Sequence, residues 1–368
     1  MFLELFTSDS FSPISNLYSY ITFRAGSSAI LALLICFIFG SKIVKALIRL
    51  QVKENIRDFG PESHKEKANT PTMGGVLIIF STIIPTLIFA DLSNLFIRIV
   101  CLSMVWMGTV GFIDDYLKVV KKKKDGLSAR YKLISQAILG ILISYLLISS
   151  NVYGEYTFQT FVPFFKDVVF NLDNAIIYTF FIILVVTATS NAVNLSDGLD
   201  GLATGLLAIS ISVFILIAYI SGRVDFTEYL YIQYLPLASE LTIFAAAFFG
   251  GCLGFLWFNA RPALIFMGDV GSLSTGAALG TLAILLKKEA LLVIVGGIFV
   301  VEALSVIIQV FYHRYTKKKY GTPRKFFLMA PIHHHFELKG WPESRVVIRF
   351  WLIAILLAIL SLTSFKVR

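Results

Sequence analysis

Leu95 to Lys118 reads LFIRIVCLSMVWMGTVGFIDDYLK, an apolar run that ends on two adjacent aspartates, Asp114 and Asp115, and a lysine. Roughly 20 mainly apolar residues are the length a helix needs to cross the hydrocarbon core of a bilayer. The rest of the chain repeats the pattern: about ten such spans begin near Ser27, Gly74, Leu95, Leu133, Ala175, Gly201, Leu241, Val270, Ala290 and Val346. Of 368 residues 57% are hydrophobic and 15% charged, a balance too apolar for a soluble globular domain. The expected fold is an all-α polytopic membrane protein, with residues 1–368 forming one integral membrane domain. The opening MFLELFTSDS lacks a basic leader, so no cleaved signal peptide is expected. Cys36, Cys101 and Cys252 all fall inside spans and read as small buried apolar residues rather than disulfide or zinc ligands.

An even number of spans puts both termini on one side, and basic residues indicate which. The segments holding DDYLKVVKKKK, NLSDGLDG, NARPALIFMGD and RYTKKKYGTPRKFFLMAPIHHHFE share a side with the link between the first two spans. With their helix ends they carry about three-quarters of the 32 Lys and Arg, which makes that side cytoplasmic and the termini external. The net charge of +9 therefore flanks membrane spans instead of forming a nucleic-acid-binding domain, and no nucleic-acid partner is expected.

Polar motifs collect on this one rim. Asp114 and Asp115, as helix neighbours, point about 100° apart and would not make a side-by-side dyad. An acidic helix end followed by Lys118 and Lys121 to Lys124 also describes a solvated interfacial face. Adding Asp269, at another helix junction, creates the oxygen-rich set that a hard cation such as Mg²⁺ prefers, and a divalent ion would relieve the repulsion among the carboxylates. The nearby lysines then suggest an anionic ligand such as phosphate.

In NAVNLSDGLDGLA the polar residues Asn191, Asn194, Asp197 and Asp200 are spaced by three. Over nine residues an ideal helix turns through about 900°, so the row cannot form one face of a straight helix. Gly198 and Gly201 supply a bend, which is tolerated at this depth where it lines a cavity. Two Asp-Gly pairs alone would mean a turn; with the asparagines they suggest a polar pocket able to read a nucleobase or sugar. Asn259 and Asp269 bracket the next rim turn, and Phe266 within it is either interfacial packing or a stacking surface for a planar base. In PIHHHFE, neutral imidazoles would suit a metal and cationic ones a phosphate, and an extended segment would project His333 and His335 together. Glu302, Ser305 and Gln309 follow an i, i+3, i+7 pattern, placing one polar face toward the bundle interior with Gln309 nearer the rim.

TPTMGG, GFIDDYLK, NAVNLSDGLDGLA, FNARPALIFMGDVGSL and PIHHHFE, in this order, resemble the motifs of the phospho-N-acetylmuramoyl-pentapeptide transferase (MraY) family. That family lies within the polyprenyl-phosphate N-acetylhexosamine 1-phosphate transferases. PIHHHFE resembles MraY more than its relatives acting on other sugars. Asn69, before TPTMGG, stands where the family pattern would have glycine.

The resemblance implies transfer of phospho-MurNAc-pentapeptide from its UDP carrier to undecaprenyl phosphate, giving lipid I and UMP with Mg²⁺, in the bacterial cytoplasmic (inner) membrane. It implies that Asp269 holds Mg²⁺ on the diphosphate, with Asp114 and Asp115 nearby as metal or acid–base groups. It further implies that Asn194, Asp197, Asp200, Lys67, Phe266 and Gln309 line the nucleoside side, with Phe266 stacking on uracil. Lys118, Lys122 and Arg130 would sit near phosphate or sugar, and His333, His334 and His335 would complete the site. A second copy of the chain, as a homodimer, is a further expected partner. Two alternatives stand beside this: transfer of N-acetylglucosamine 1-phosphate to a polyprenyl phosphate, and a membrane transporter. Transporter sites usually lie near the bilayer midplane between repeats, whereas these acids gather at one surface.

Overall fold

Asparagines set two of the helix starts. Asn94 Oδ1 accepts hydrogen bonds from the backbone N–H groups of Phe96 and Ile97, and Asn174 Oδ1 accepts from that of Ile176. Each supplies an acceptor for N–H groups that a first helical turn leaves over. The computed structural model describes residues 12–49, 70–123, 126–165 and 169–365. Lys67 and Asn69 lie outside the described residues.

The helices are α1 (Ser12–Ser19), α2 (Ile21–Arg49), α3 (Gly75–Phe89), α4 (Leu95–Val119) and α5 (Ala129–Ser150). A short antiparallel hairpin follows, β1 (Gln159–Phe161) and β2 (Val169–Asn171), pairing Gln159 with Asn171 and Phe161 with Val169. Then come α6 (Ala175–Ser196), α7 (Leu202–Ser221), α8 (Val224–Leu230), α9 (Ala238–Asn259) and α10 (Gly268–Leu285). The chain closes with α11 (Glu289–Val295), α12 (Gly297–Tyr320), α13 (Ile332–Leu338) and α14 (Glu343–Thr363).

Among the described residues eight helices are long and apolar enough to cross a membrane: α2, α4, α5, α6, α7, α9, α12 and α14. Two of the expected spans take another form. The one beginning near Gly74 is only the 15-residue α3, and the one beginning near Val270 is α10, whose residues from Val270 to Leu285 are all buried by protein. The span expected from Ala290 is broken at Gly296 into α11 and α12. α9 packs on α2, α7 and α3, while α10 packs on α4, α6 and α3, so these two helices form the centre of the bundle. Their contact surfaces are rich in glycine, alanine and serine, which lets backbones approach closely where lipid supplies no hydrophobic drive between helices.

The end far from the acidic motifs is closed by a buried ion pair and a buried lysine. Arg24 forks onto both oxygens of Glu240, at 2.9 and 2.6 Å, and donates to the Phe89 carbonyl at 3.0 Å; Asp91 N–H adds a bond to Glu240. This ties α2, α3 and α9 together at one point. In the loop after α10, Lys287 Nζ donates to the Thr157 carbonyl and to Tyr178 Oη and lies over the Tyr153 and Tyr178 rings. Burial pulls the Lys287 pKa from 10.5 down to about 8, against the opposing field of Glu289. Between those values the unfolded chain holds a proton that the folded chain has lost, so this group adds stability as pH rises through the window. The thermal midpoint in detergent should therefore climb between about pH 8 and about pH 9.5, and climb less in Lys287→Met.

Candidate active site

Asp114 and Asp115 stand on the last turns of α4, both buried, and Asp269 stands on the first turn of α10. One carboxylate oxygen from each lies within 4.8 Å of the others. The neighbours do turn apart: Asp114 Oδ1 accepts from Leu127 N–H at 2.6 Å, and Asp115 Oδ2 accepts from Val270 N–H at 3.1 Å. Asp269 bridges what the helix separates. It arrives there because α4 and α10 touch at Gly111, where an added Cβ would overlap the backbone of Asp269 and Val270.

Two ammonium groups answer this negative charge. Lys118 Nζ is 2.5 Å from Asp114 Oδ2 and 3.0 Å from Asp269 Oδ2. Lys132 Nζ, from α5, reaches the same two oxygens at 2.8 and 2.5 Å. Lys118 is an expected site residue, but Lys132 is not. In sequence it reads as one more basic residue at a helix start, and its carboxylate partners lie 18 and 137 positions away. Lys122, at φ 52°, and Arg130, on the first turn of α5, are exposed on the same rim and enter none of these contacts.

The row of polar residues after α6 breaks as its spacing requires. The helix ends at Ser196, Asp197 caps it, and Gly201 takes φ 76° before α7 begins. Asn194 Oδ1 accepts from Ser272 Oγ, joining this turn to α10 three residues beyond Asp269. Three of the expected pocket residues are occupied by structural bonds. Asn191 donates to Gln136 Oε1 on α5 and to the Thr187 carbonyl, which turns it into the bundle. Asn259 accepts from Thr204 Oγ1 and donates to the Ile265 carbonyl, so it clips the loop between α9 and α10. Asp200 is buried; its Oδ2 accepts from Ala263 N–H, and its own N–H donates to Glu343 Oε1 at 2.8 Å. Glu343, which also pairs with Arg261, thus staples two site loops to the start of α14, a role its place at an ordinary helix N-terminus did not announce.

Phe266 is partly exposed beside this staple, with its backbone bonded to Pro71 and Gly74 of the TPTMGG segment. Gln309 turns toward the rim as expected: Oε1 accepts from the N–H groups of Phe326 and Phe327, so it holds the loop before the histidines. The histidines are helical, not extended, so His333 and His335 do not project together. His333 is enclosed and meets Glu302 of α12 at 3.1 Å. His334 meets Glu337 at 2.8 Å. His335 Nδ1 accepts from Leu328 N–H, and partial burial with Lys339 nearby holds its pKa below the ordinary value.

A helical bundle with three carboxylates and two lysines at one end of its central helices has the build of a membrane-embedded transferase acting on a phosphorylated substrate. The sequence pattern described as Glycosyl transferase family 4 matches residues 97–287, more than half of the chain. The phospho-N-acetylmuramoyl-pentapeptide-transferase signature 1 matches residues 67–79. Curated proteins named phospho-N-acetylmuramoyl-pentapeptide-transferase are similar along almost the whole chain. That of Chloroherpeton thalassium is 48% identical over 97% of this chain and 96% of its own length. Those of Desulfosudis oleivorans, 48% identical over 96% of each, and Rickettsia bellii, 47% identical over 97% of each, agree. The chain belongs to the phospho-N-acetylmuramoyl-pentapeptide-transferase family.

Proposed function

We propose that this protein transfers phospho-MurNAc-pentapeptide from its UDP carrier to undecaprenyl phosphate at the cytoplasmic face of a bacterial inner membrane, releasing UMP and forming lipid I. The observation that carries the chemistry is the meeting of Asp114, Asp115 and Asp269 within 4.8 Å, beside Lys118 and Lys132. The bias of Lys and Arg toward this rim supports its cytoplasmic placement.

The site fits a divalent cation: three converging carboxylates offer hard oxygen donors, and the structure answers the same charge with two ammonium groups at hydrogen-bond distance. Asp269, Asp114 and Asp115 would hold Mg²⁺, which when bound neutralises charge on the diphosphate. Lys118 and Lys132 lie within reach of phosphate oxygens at the same place and supply further positive charge to the departing UMP. The second pKa of a phosphate monoester is near about 6, so the acceptor lipid is already mostly a dianionic nucleophile at neutral pH. Positioning and charge neutralisation then suffice, with direct attack on the sugar-linked phosphorus rather than a phosphoryl-aspartate. Phe266, Asn194 and Asp197 are assigned to the nucleoside side and His333 to the substrate phosphates.

Purified protein given UDP-MurNAc-pentapeptide, undecaprenyl phosphate and Mg²⁺ should release UMP and form lipid I. Equal or faster turnover of UDP-GlcNAc, or uptake of the substrate into sealed vesicles without UMP, would sink the proposal. The staple at Glu343 makes a separate prediction. Glu343→Ala leaves the buried Asp200 N–H without its acceptor, a loss of about 1–3 kcal/mol. KM for the UDP substrate should rise about tenfold as the turn loosens, which initial-rate kinetics would show.

A further inference from the structure

Glu302 sits in the body of α12 with no exposed surface, an expensive place for a carboxylate unless something specific engages it. What engages it is His333: Glu302 Oε2 lies 3.1 Å from His333 Nδ1, and both side chains are fully enclosed. The second nitrogen of the ring, Nε2, is also enclosed and has no hydrogen-bond partner among the described residues. Its direction is given by Gly198, where an added Cβ would overlap Nε2. Gly198 stands in the turn between Asp197 and Asp200, so the open nitrogen faces the loop that closes the nucleotide side of the site.

We infer that Glu302 is a positioning residue for His333, an inference that rests on the transferase reading above. A carboxylate beside Nδ1 accepts its hydrogen bond, which fixes the tautomer and the ring plane and leaves Nε2 as the nitrogen presented to the substrate. An ordinary core histidine would have both nitrogens satisfied by protein. Here one is held by an acid and the other, enclosed against Gly198 of the site loop, has no partner among the described residues.

The test is a double-mutant cycle on the full-length protein in detergent, with Glu302→Gln, His333→Gln and the pair, measuring kcat, KM for the UDP substrate and the thermal midpoint. Glu302→Gln is expected to lower kcat about 10- to 100-fold while KM changes less than about twofold. In the His333→Gln background the same change should cost nothing further, because its effect passes through the imidazole. A Glu302→Gln protein with full kcat, or a loss that multiplies with that of His333→Gln, would overturn the inference and leave a structural pair. If Glu302→Gln does not fold, Glu302→Asp, one methylene too short to keep the contact, takes its place in the cycle, and the same two results decide for or against the positioning role. An inactive wild type defeats the transferase reading itself; an active wild type with an insensitive Glu302 defeats only the positioning role.

Discussion

Asp269→Asn is expected to lower turnover at least about 100-fold, and by no less than Asp115→Asn, because it removes a carboxylate that would hold Mg²⁺ against the substrate diphosphate. Both lysines contact Asp269 as they contact Asp114, and a carboxylate oxygen of each α4 aspartate lies within 4.8 Å of one of its own; Asp115 is already partly committed to the Val270 N–H. The asparagine is nearly the same size, so the bundle should keep its thermal midpoint while chemistry fails. Titrating Mg²⁺ against UMP release separates the two roles. The Asp269 variant should need a much higher concentration, and an unchanged Mg²⁺ dependence would remove Asp269 from the metal site.

Gly111→Val should be nearly as damaging, although no atom of Gly111 needs to touch a substrate. A side chain there would run into the backbone of Asp269 and Val270, and helices packed this closely can only separate. Overpacking of this kind costs about 1–3 kcal/mol in stability. A shift of about 1 Å at a reacting group can cost about 100-fold in rate. Activity should therefore fall further than the modest drop in thermal midpoint predicts. Full activity would mean that the three acids tolerate a wider spacing than the structure shows.

The glycine is legible in the sequence as part of GFIDDYLK, but its purpose is not, since the surface it meets belongs to a helix far along the chain. That contrast runs through the molecule. The all-helical membrane architecture can be read because crossing a bilayer imposes length and polarity residue by residue, but the count of spans cannot, since the apolar segments from Gly74 and Val270 are short or enclosed by protein. The acids can be gathered into one site because three carboxylates on one rim share a chemical explanation. What periodicity does not encode is which polar side chain is already taken. Asn191 belongs to a row spaced by three and Asn259 brackets a rim turn, and in the structure each amide hydrogen-bonds a neighbouring helix or loop. Lys132, Glu343 and the Glu302 partnership are hidden for the converse reason: each acts through a residue distant in sequence, and nothing local marks it. An extended PIHHHFE would aim two of its imidazoles together, whereas a helix beginning after Pro331 turns the three to three different neighbours.

The enclosure of α10 bears on how the protein is made. Four of its eighteen residues are glycine and it carries several serines and threonines, whose hydroxyls lipid leaves without partners. Its hydroxyls find partners in protein instead: Thr281 with Ser103 on α4, and Ser272 with Asn194 on α6. In chain order α4 and α6 both precede it, so these partners can already stand in the bilayer when this segment emerges. Weakening those two earlier helices would strand the segment that carries Asp269, so a defect in membrane integration would present as a loss of catalysis.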